Sequence, residues 1–222
     1  MIEELLPASV ACAERREDPP GAVLFAEERT LLANSVEKRR NEFTTARMCA
    51  REALGVLGFP PVAILTGERG EPLWPAQALG SITHCQAYRA AAVARTSEVL
   101  TLGIDAEPHA PLPDGLIGDI ARPEELPHLR QLQADTPEVH WDRLLFSAKE
   151  SVYKAWFPLA RRWLGFEDAV LDINPLAEAA GVFRAKLLVD GPSVKGSPLT
   201  AFSGRWMVRE GLVLTAIALS KA

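Results

Sequence analysis

Two segments of helical periodicity, one in each half of the chain, constrain the fold more than any other feature of the sequence. In the first half, Leu32, Val36, Phe43, Ala46, Ala50 and Leu54 fall on one stripe of a helical wheel, which predicts a long helix from about Glu28 to Leu57. Gly58 and Pro60-Pro61 stop it. In the second half, Trp141, Leu144, Leu145, Ala148, Val152 and Ala155 predict another from about Glu138 to Phe157. Short strand-like pieces surround them: Val62 to Leu65, Ser81 to Thr83, Arg89 to Ala94 and Val99 to Ile104 after the first helix, and Val182 to Val189, Arg205 to Arg209 and Leu212 to Leu219 after the second. Glu210-Gly211 suits a tight hairpin between the last two. Between the halves, prolines at 108, 111, 113, 123, 127 and 137 predict an irregular connector with at most short helices. One long helix with antiparallel strands, twice, is α+β rather than a repeating βαβ unit. The expectation is two similar lobes, 1–103 and 104–222, each a long helix packed on a mainly antiparallel sheet.

Composition narrows the chemistry. The 222 residues suffice for one large or two small domains. With 24 basic against 29 acidic residues, the net charge of -5 gives no general nucleic-acid surface. Cys12, Cys49 and Cys85 form no C-x-x-C pair, which speaks against both a disulfide framework and a thiolate zinc site. The acidic start Met1-Ile2-Glu3-Glu4-Leu5-Leu6-Pro7 is not that of a signal peptide, and no apolar run reaches membrane-spanning length. A cytoplasmic location is the expectation.

The chemistry centres on Gly103-Ile104-Asp105-Ala106-Glu107-Pro108. Leu100, Leu102 and Ile104 alternate with Thr101, Gly103 and Asp105, which is strand spacing, so Asp105 and Glu107 point to one face. Neighbouring carboxylates repel, and a hard divalent ion with oxygen ligands relieves that. The alternative is a solvated acidic strand end, since D-x-E alone is common. Glu150 and Lys154, four apart, share a helix face flanked by Phe146 and Tyr153, which places a third carboxylate and an ammonium off the open surface. Arg39 and Arg47 fall near the centre of the first helix's apolar stripe; they suit either an internal ion pair or phosphate recognition. Thr83 and His84 add a hydroxyl and an imidazole at a strand end. Cys85 beside His84 makes a poor catalytic pair, because adjacent strand residues face opposite ways.

Taken together and in order, several blocks carry a resemblance over essentially the whole chain. They are Lys38-Arg39-Arg40-Asn41-Glu42-Phe43, Gly67-Glu68-Arg69-Gly70-Glu71-Pro72, Ser81-Ile82-Thr83-His84-Cys85, the Gly103 to Pro108 motif, His140-Trp141-Asp142-Arg143, Phe146 to Trp156, and Trp163-Leu164-Gly165-Phe166-Glu167-Asp168. The chain resembles the 4'-phosphopantetheinyl transferases of the two-lobed, monomeric, pseudo-twofold kind, in particular those that activate polyketide and nonribosomal-peptide carrier proteins in actinobacteria. The resemblance implies transfer of the phosphopantetheine arm of coenzyme A to a serine of an apo acyl or peptidyl carrier protein, with magnesium (or manganese) as the metal. It implies that Asp105, Glu107 and Glu150 hold the metal and that Lys154 and Lys149 contact the pyrophosphate. Arg39, Arg47, Thr83 and His84 would bind the 3'-phosphoadenosine end. Where family members often carry a lysine before the Gly67 block stands Thr66, and Arg69 would take over its charge. Serine needs a base near neutral pH, and Glu150 is the candidate. The connector from Pro108 to Pro137 is the expected carrier-docking region. The competing readings are a metal-dependent phosphodiesterase built on the same carboxylates and a coenzyme A-binding protein without turnover.

Overall fold

The computed structural model describes residues 1–221. A 3-10 turn at Ile2–Leu5 precedes β1 (Val10–Arg15), the single-turn helix α1 (Ala26–Arg29) and the long helix α2 (Glu37–Val56). A two-residue pair, β2 (Leu65–Thr66) and β3 (Pro72–Leu73), leads into β4 (Ala78–Cys85), β5 (Tyr88–Arg95) and β6 (Val99–Pro108). Helices α3 (Ile117–Ile120), α4 (Leu126–Asp135) and α5 (Trp141–Ala160) follow. The chain closes with β7 (Ala169–Ala177), β8 (Ala180–Leu187), the small pair β9 (Ser193–Val194) and β10 (Ser197–Pro198), β11 (Ala201–Arg209) and β12 (Leu212–Ser220).

Two antiparallel sheets carry the architecture. One has the order β1-β5-β4 and the other β6-β12-β11-β8-β7. Helix α2 buries Cys49, Ala50, Ala53 and Leu54 against Ala91 and Val93 of β5. Helix α5 buries Trp141, Leu144, Leu145, Ala148, Val152 and Trp156 against Ile173, Phe183, Phe202 and Trp206 of the larger sheet. The α+β expectation of a helix on an antiparallel sheet, twice, matches this arrangement. A third cluster joins the two: Tyr88, Ala90 and Ala92 of β5 pack with Leu102, Ile104 and Ala106 of β6, with Leu212 and Leu214 of β12, and with Ile2 and Leu5. The boundary expected between 103 and 104 falls inside β6, whose whole length pairs with β12, from Val99↔Ser220 to Pro108↔Leu212.

The even positions of β6 fill the shared core, so its odd positions face α5. Thr101 donates to the Ala155 carbonyl at 2.6 Å. Gly103 leaves no room for a side chain, because a Cβ there would collide with the Ser151 carbonyl oxygen. Asp105 and Glu107 continue along the same face. At its other edge β6 runs beside β4 without a backbone ladder. Two hydroxyls bridge the gap: the Ile104 amide donates to Ser81 Oγ at 3.1 Å and the Ala106 amide to Thr83 Oγ1 at 3.0 Å.

Several boundaries differ from expectation. The first helix starts at Glu37, not Glu28; α1 and a 3-10 turn at Thr30–Leu32 precede it, Val36 is extended at the N-cap, and its side chain is 72% exposed. The Val62 to Leu65 strand shrinks to Leu65–Thr66, and β1 and β7 were not expected. The connector is less irregular than its prolines suggest, with α4 running ten residues and burying Leu129 and Leu132. At the β11–β12 turn, Glu210 and Gly211 both have positive φ, the geometry a two-residue type I′ hairpin requires. Among the described residues no helix is long and apolar enough to cross a membrane.

Candidate active site

The acidic motif and α5 meet at the seam between the sheets. Asp105 is buried, and its Oδ1 accepts from Lys154 Nζ at 2.6 Å and from the Thr83 hydroxyl at 3.3 Å. Its Oδ2 is buried with no hydrogen-bond partner among the described residues. A buried carboxylate oxygen without a donor is costly, and a cation answers that cost. Glu107, two residues on, accepts from Arg143 Nη1 at 2.9 Å. Burial first, and then the Asp105 charge, push the Glu107 carboxyl up to about 7 against the pull of Arg143. Burial also raises Glu150, with Lys154 pulling the other way and Asp105 adding to the rise. Glu107 and Glu150 thus each feel the charges of Asp105 and Lys154. Among the described residues, no three acidic, histidine or cysteine side chains stand close enough to form a ready-made metal cage. The donor set is all oxygen, with one oxygen of Asp105 left free; it fits a hard divalent cation completed by ligand oxygens.

A cleft of about 530 Å³ lies beside this cluster and takes Glu150 and Lys154 from it. It is lined by Glu150, Tyr153 and Lys154 of α5, by Ser81 of β4 and Leu102 of β6, and by Arg69, Glu71 and Trp74. A smaller cavity of about 160 Å³ lies behind Glu150 and Tyr153, lined by Val152, Trp163, Leu164 and Phe166. Arg69 thus shares the cleft with Lys154.

Arg39 Nη1 lies 2.7 Å from His84 Nε2, and neither residue lines the cleft. Burial and the Arg39 charge lower the His84 pKa, which keeps the ring neutral and able to accept from Arg39. Glu42 stands 3.9 Å from the other ring nitrogen.

The structure does not bring every anticipated residue to the cleft. Arg39 is exposed, although the helical wheel places it inward. Arg47 is inward, 5% exposed, but its guanidinium donates to the Ile64 carbonyl at 2.7 Å and to Thr66 Oγ1 at 3.1 Å, so it pins α2 to the strand before the Gly67 block. Thr83 turns its hydroxyl to the seam. Lys149 is turned away altogether. Its stem borders the smaller cavity, but its ammonium is enclosed by Glu125 Oε2 at 2.8 Å and by the carbonyls of Ile120, Phe166 and Ala169. A cation with four oxygen partners at 3% exposure is fastening α3, α4 and β7 to α5, not awaiting a pyrophosphate. Conversely, Arg143 and Ser81 do more than their sequence signal shows. Arg143 also donates to the Ala110 and Pro111 carbonyls, tying the connector to Glu107. Only the His140 to Arg143 block hinted at it.

A cleft between two helix-on-sheet layers, lined by Glu150 and by a lysine that reaches the buried Asp105, is the setting of a group-transfer enzyme. The chain belongs to the 4'-phosphopantetheinyl transferase family. Residues 27–94 match the 4'-phosphopantetheinyl transferase N-terminal domain, and residues 101–210 match the 4'-phosphopantetheinyl transferase superfamily domain. The chain is 52% identical to the 4'-phosphopantetheinyl transferase Svp of Streptomyces mobaraensis, over 99% of this chain and 89% of that one. It is 50% identical to PptT of Mycobacterium tuberculosis, over 99% and 98% of the two chains. Npt of Nocardia iowensis is 49% identical over 98% and 99%.

Proposed function

We propose that this protein transfers the 4'-phosphopantetheine arm of coenzyme A to a serine hydroxyl of apo acyl and peptidyl carrier proteins, releasing adenosine 3',5'-bisphosphate. Supporting this reading most directly is the Asp105–Lys154 contact: a buried carboxylate with one oxygen free, held by an ammonium whose side chain lines the cleft. Asp105, Glu107 and Glu150 would hold the divalent ion, magnesium or manganese. When bound, that ion supplies positive charge to the pyrophosphate oxygens.

The chain's own residues do the rest. Arg39 and His84 are suited to the 3'-phosphate; the neutral ring and the guanidinium can each donate to it after their mutual contact opens. Arg69 and Lys154, which both line the cleft, offset the charge that grows on the bridging oxygen as the bond to the β-phosphorus breaks. Glu150 takes the proton of the attacking serine. Its raised pKa makes it a stronger base than an ordinary glutamate, suited to work near neutral pH. The bond formed is serine oxygen to phosphorus, and the electron pair of the broken bond leaves on adenosine 3',5'-bisphosphate. The segment 108–137, ordered by Lys149 and Arg143, is the proposed docking region for the carrier.

The test is to incubate the protein with coenzyme A, magnesium and a panel of apo carrier proteins and weigh the products. Asp105→Ala and Glu150→Gln should each lower transfer by at least about a hundredfold with the fold intact. Full activity in either variant overturns these roles. Coenzyme A cleaved with no carrier present would point instead to a phosphodiesterase.

A further inference from the structure

We propose that Thr83 is a positioning residue for Asp105, through which β4 of the smaller sheet orients the metal-binding carboxylate of the larger one. The proposal rests on the transferase reading above, and it replaces the nucleotide contact that the sequence suggests for Thr83. The Thr83 side chain is 2% exposed. Its oxygen accepts from the Ala106 amide at 3.0 Å, and its proton goes to Asp105 Oδ1 at 3.3 Å. A hydroxyl carries a single proton, so none remains for a phosphate oxygen. Lys154 donates to the same Oδ1 at 2.6 Å. Two donors on Oδ1 and none on Oδ2 fix the rotation of the carboxylate and leave Oδ2 as its one buried, unpartnered oxygen.

Strand alternation divides the labour. His84 follows Thr83 directly, and neighbours on a strand face opposite ways. The ring of His84 meets Arg39 and Glu42 on the phosphate side, while the hydroxyl of Thr83 meets β6. One dipeptide thus contacts both α2 and β6. Hydrogen-bond partners behind a metal ligand typically weigh 10–100-fold in metal affinity or activity.

Thr83→Val keeps the shape and removes both hydrogen bonds, whereas Thr83→Ser keeps them. Manganese titrated into protein saturated with coenzyme A, with no carrier present, and followed by loss of the free-ion paramagnetic resonance signal, reads metal affinity without turnover. Thr83→Val should weaken manganese binding by about tenfold or more, and Thr83→Ser should restore most of it. The ratio of kcat/KM for coenzyme A to that for its 3'-dephosphorylated form should stay at the parent value in both variants. Parent-like manganese affinity in Thr83→Val overturns the proposal. So does loss of discrimination for the 3'-phosphate, which would return Thr83 to the nucleotide. Should Thr83→Val not fold, Thr83→Cys, a weak donor, is expected to show an intermediate loss, and parent affinity there overturns the proposal equally. Asp105→Asn separates the two levels of inference. If it binds manganese like the parent, the metal reading itself fails. If it does not bind while Thr83→Val does, only the positioning role fails.

Discussion

At the scale of single residues, the period of two along β6 sorts the acidic motif into core and site. That sorting was legible: Asp105 and Glu107 were expected on one face, and both face α5. Lys149 was not legible, because its partners come from Ile120, Glu125, Phe166 and Ala169, and nothing in a helical period says which of two neighbouring charged residues will be enclosed. Arg39 and Arg47 show the same limit, since the wheel placed both inward and only Arg47 is buried. Glu107 allows a signed prediction. Its carboxyl is pushed up from 4.5 to about 7. Between those values the folded protein holds a proton that the unfolded chain has released, so this group's contribution to stability falls as pH rises through the window and stays lowered above it. In the presence of a chelator, Glu107→Gln should therefore melt above its parent at pH 8 by roughly 2–4 °C, the shift that about 1 kcal/mol gives a chain of this size. The gap should narrow toward pH 4.5. Thermal melts across pH measure it, and a gap that does not change with pH refutes the assignment.

At the scale of elements, the two long helices and six of the longer strands were readable from helical stripes, apolar runs and the glycines and prolines that punctuate them. The early start assigned to α2 failed because Leu32 and Val36 fit the wheel, yet Val36 is extended and ends the pattern. Strands β1 and β7 escaped notice for different reasons. β1 reads Val-Ala-Cys-Ala-Glu-Arg, nearly without branched side chains, and owes its conformation to pairing with β5. β7 contains Pro175, which a strand tolerates here because β7 is an edge. The approach of α5 to β6 depends on Gly103. Gly103→Ala would drive a methyl into the Ser151 carbonyl and the Ala155 amide, and a helix backbone cannot yield there without moving as a whole. The expected cost is about 1–3 kcal/mol, seen as a lower denaturant midpoint. Transfer should slow as well, because Lys154 moves with the helix. An unchanged midpoint would mean that α5 does not lie so close.

For the whole molecule, the family's two sequence domains do not correspond to two independent cores. Ile2 and Leu5 lie ahead of the first matched segment, yet they pack with Leu212 and Leu214 from the end of the chain. Tyr88 and Ala90 of the smaller sheet share that cluster with Leu102 and Ile104 of the larger. The chain should therefore unfold in one cooperative step. Tryptophan fluorescence, dominated by the buried Trp141, Trp156 and Trp206 of the larger layer, should coincide with far-ultraviolet dichroism from both layers. Two separated transitions would show that the layers stand alone.

The missing ladder between β4 and β6 has a meaning beyond the reaction. A bare sheet edge invites another chain to add a strand to it, and proteins must blunt such edges to stay apart. Here each sheet turns one edge toward the other, and Ser81 and Thr83 hold the pair together without welding them into one sheet. A molecule parted along that line would present two sticky margins at once. The hydroxyls that keep it closed thus also guard copies of the chain against stacking on one another.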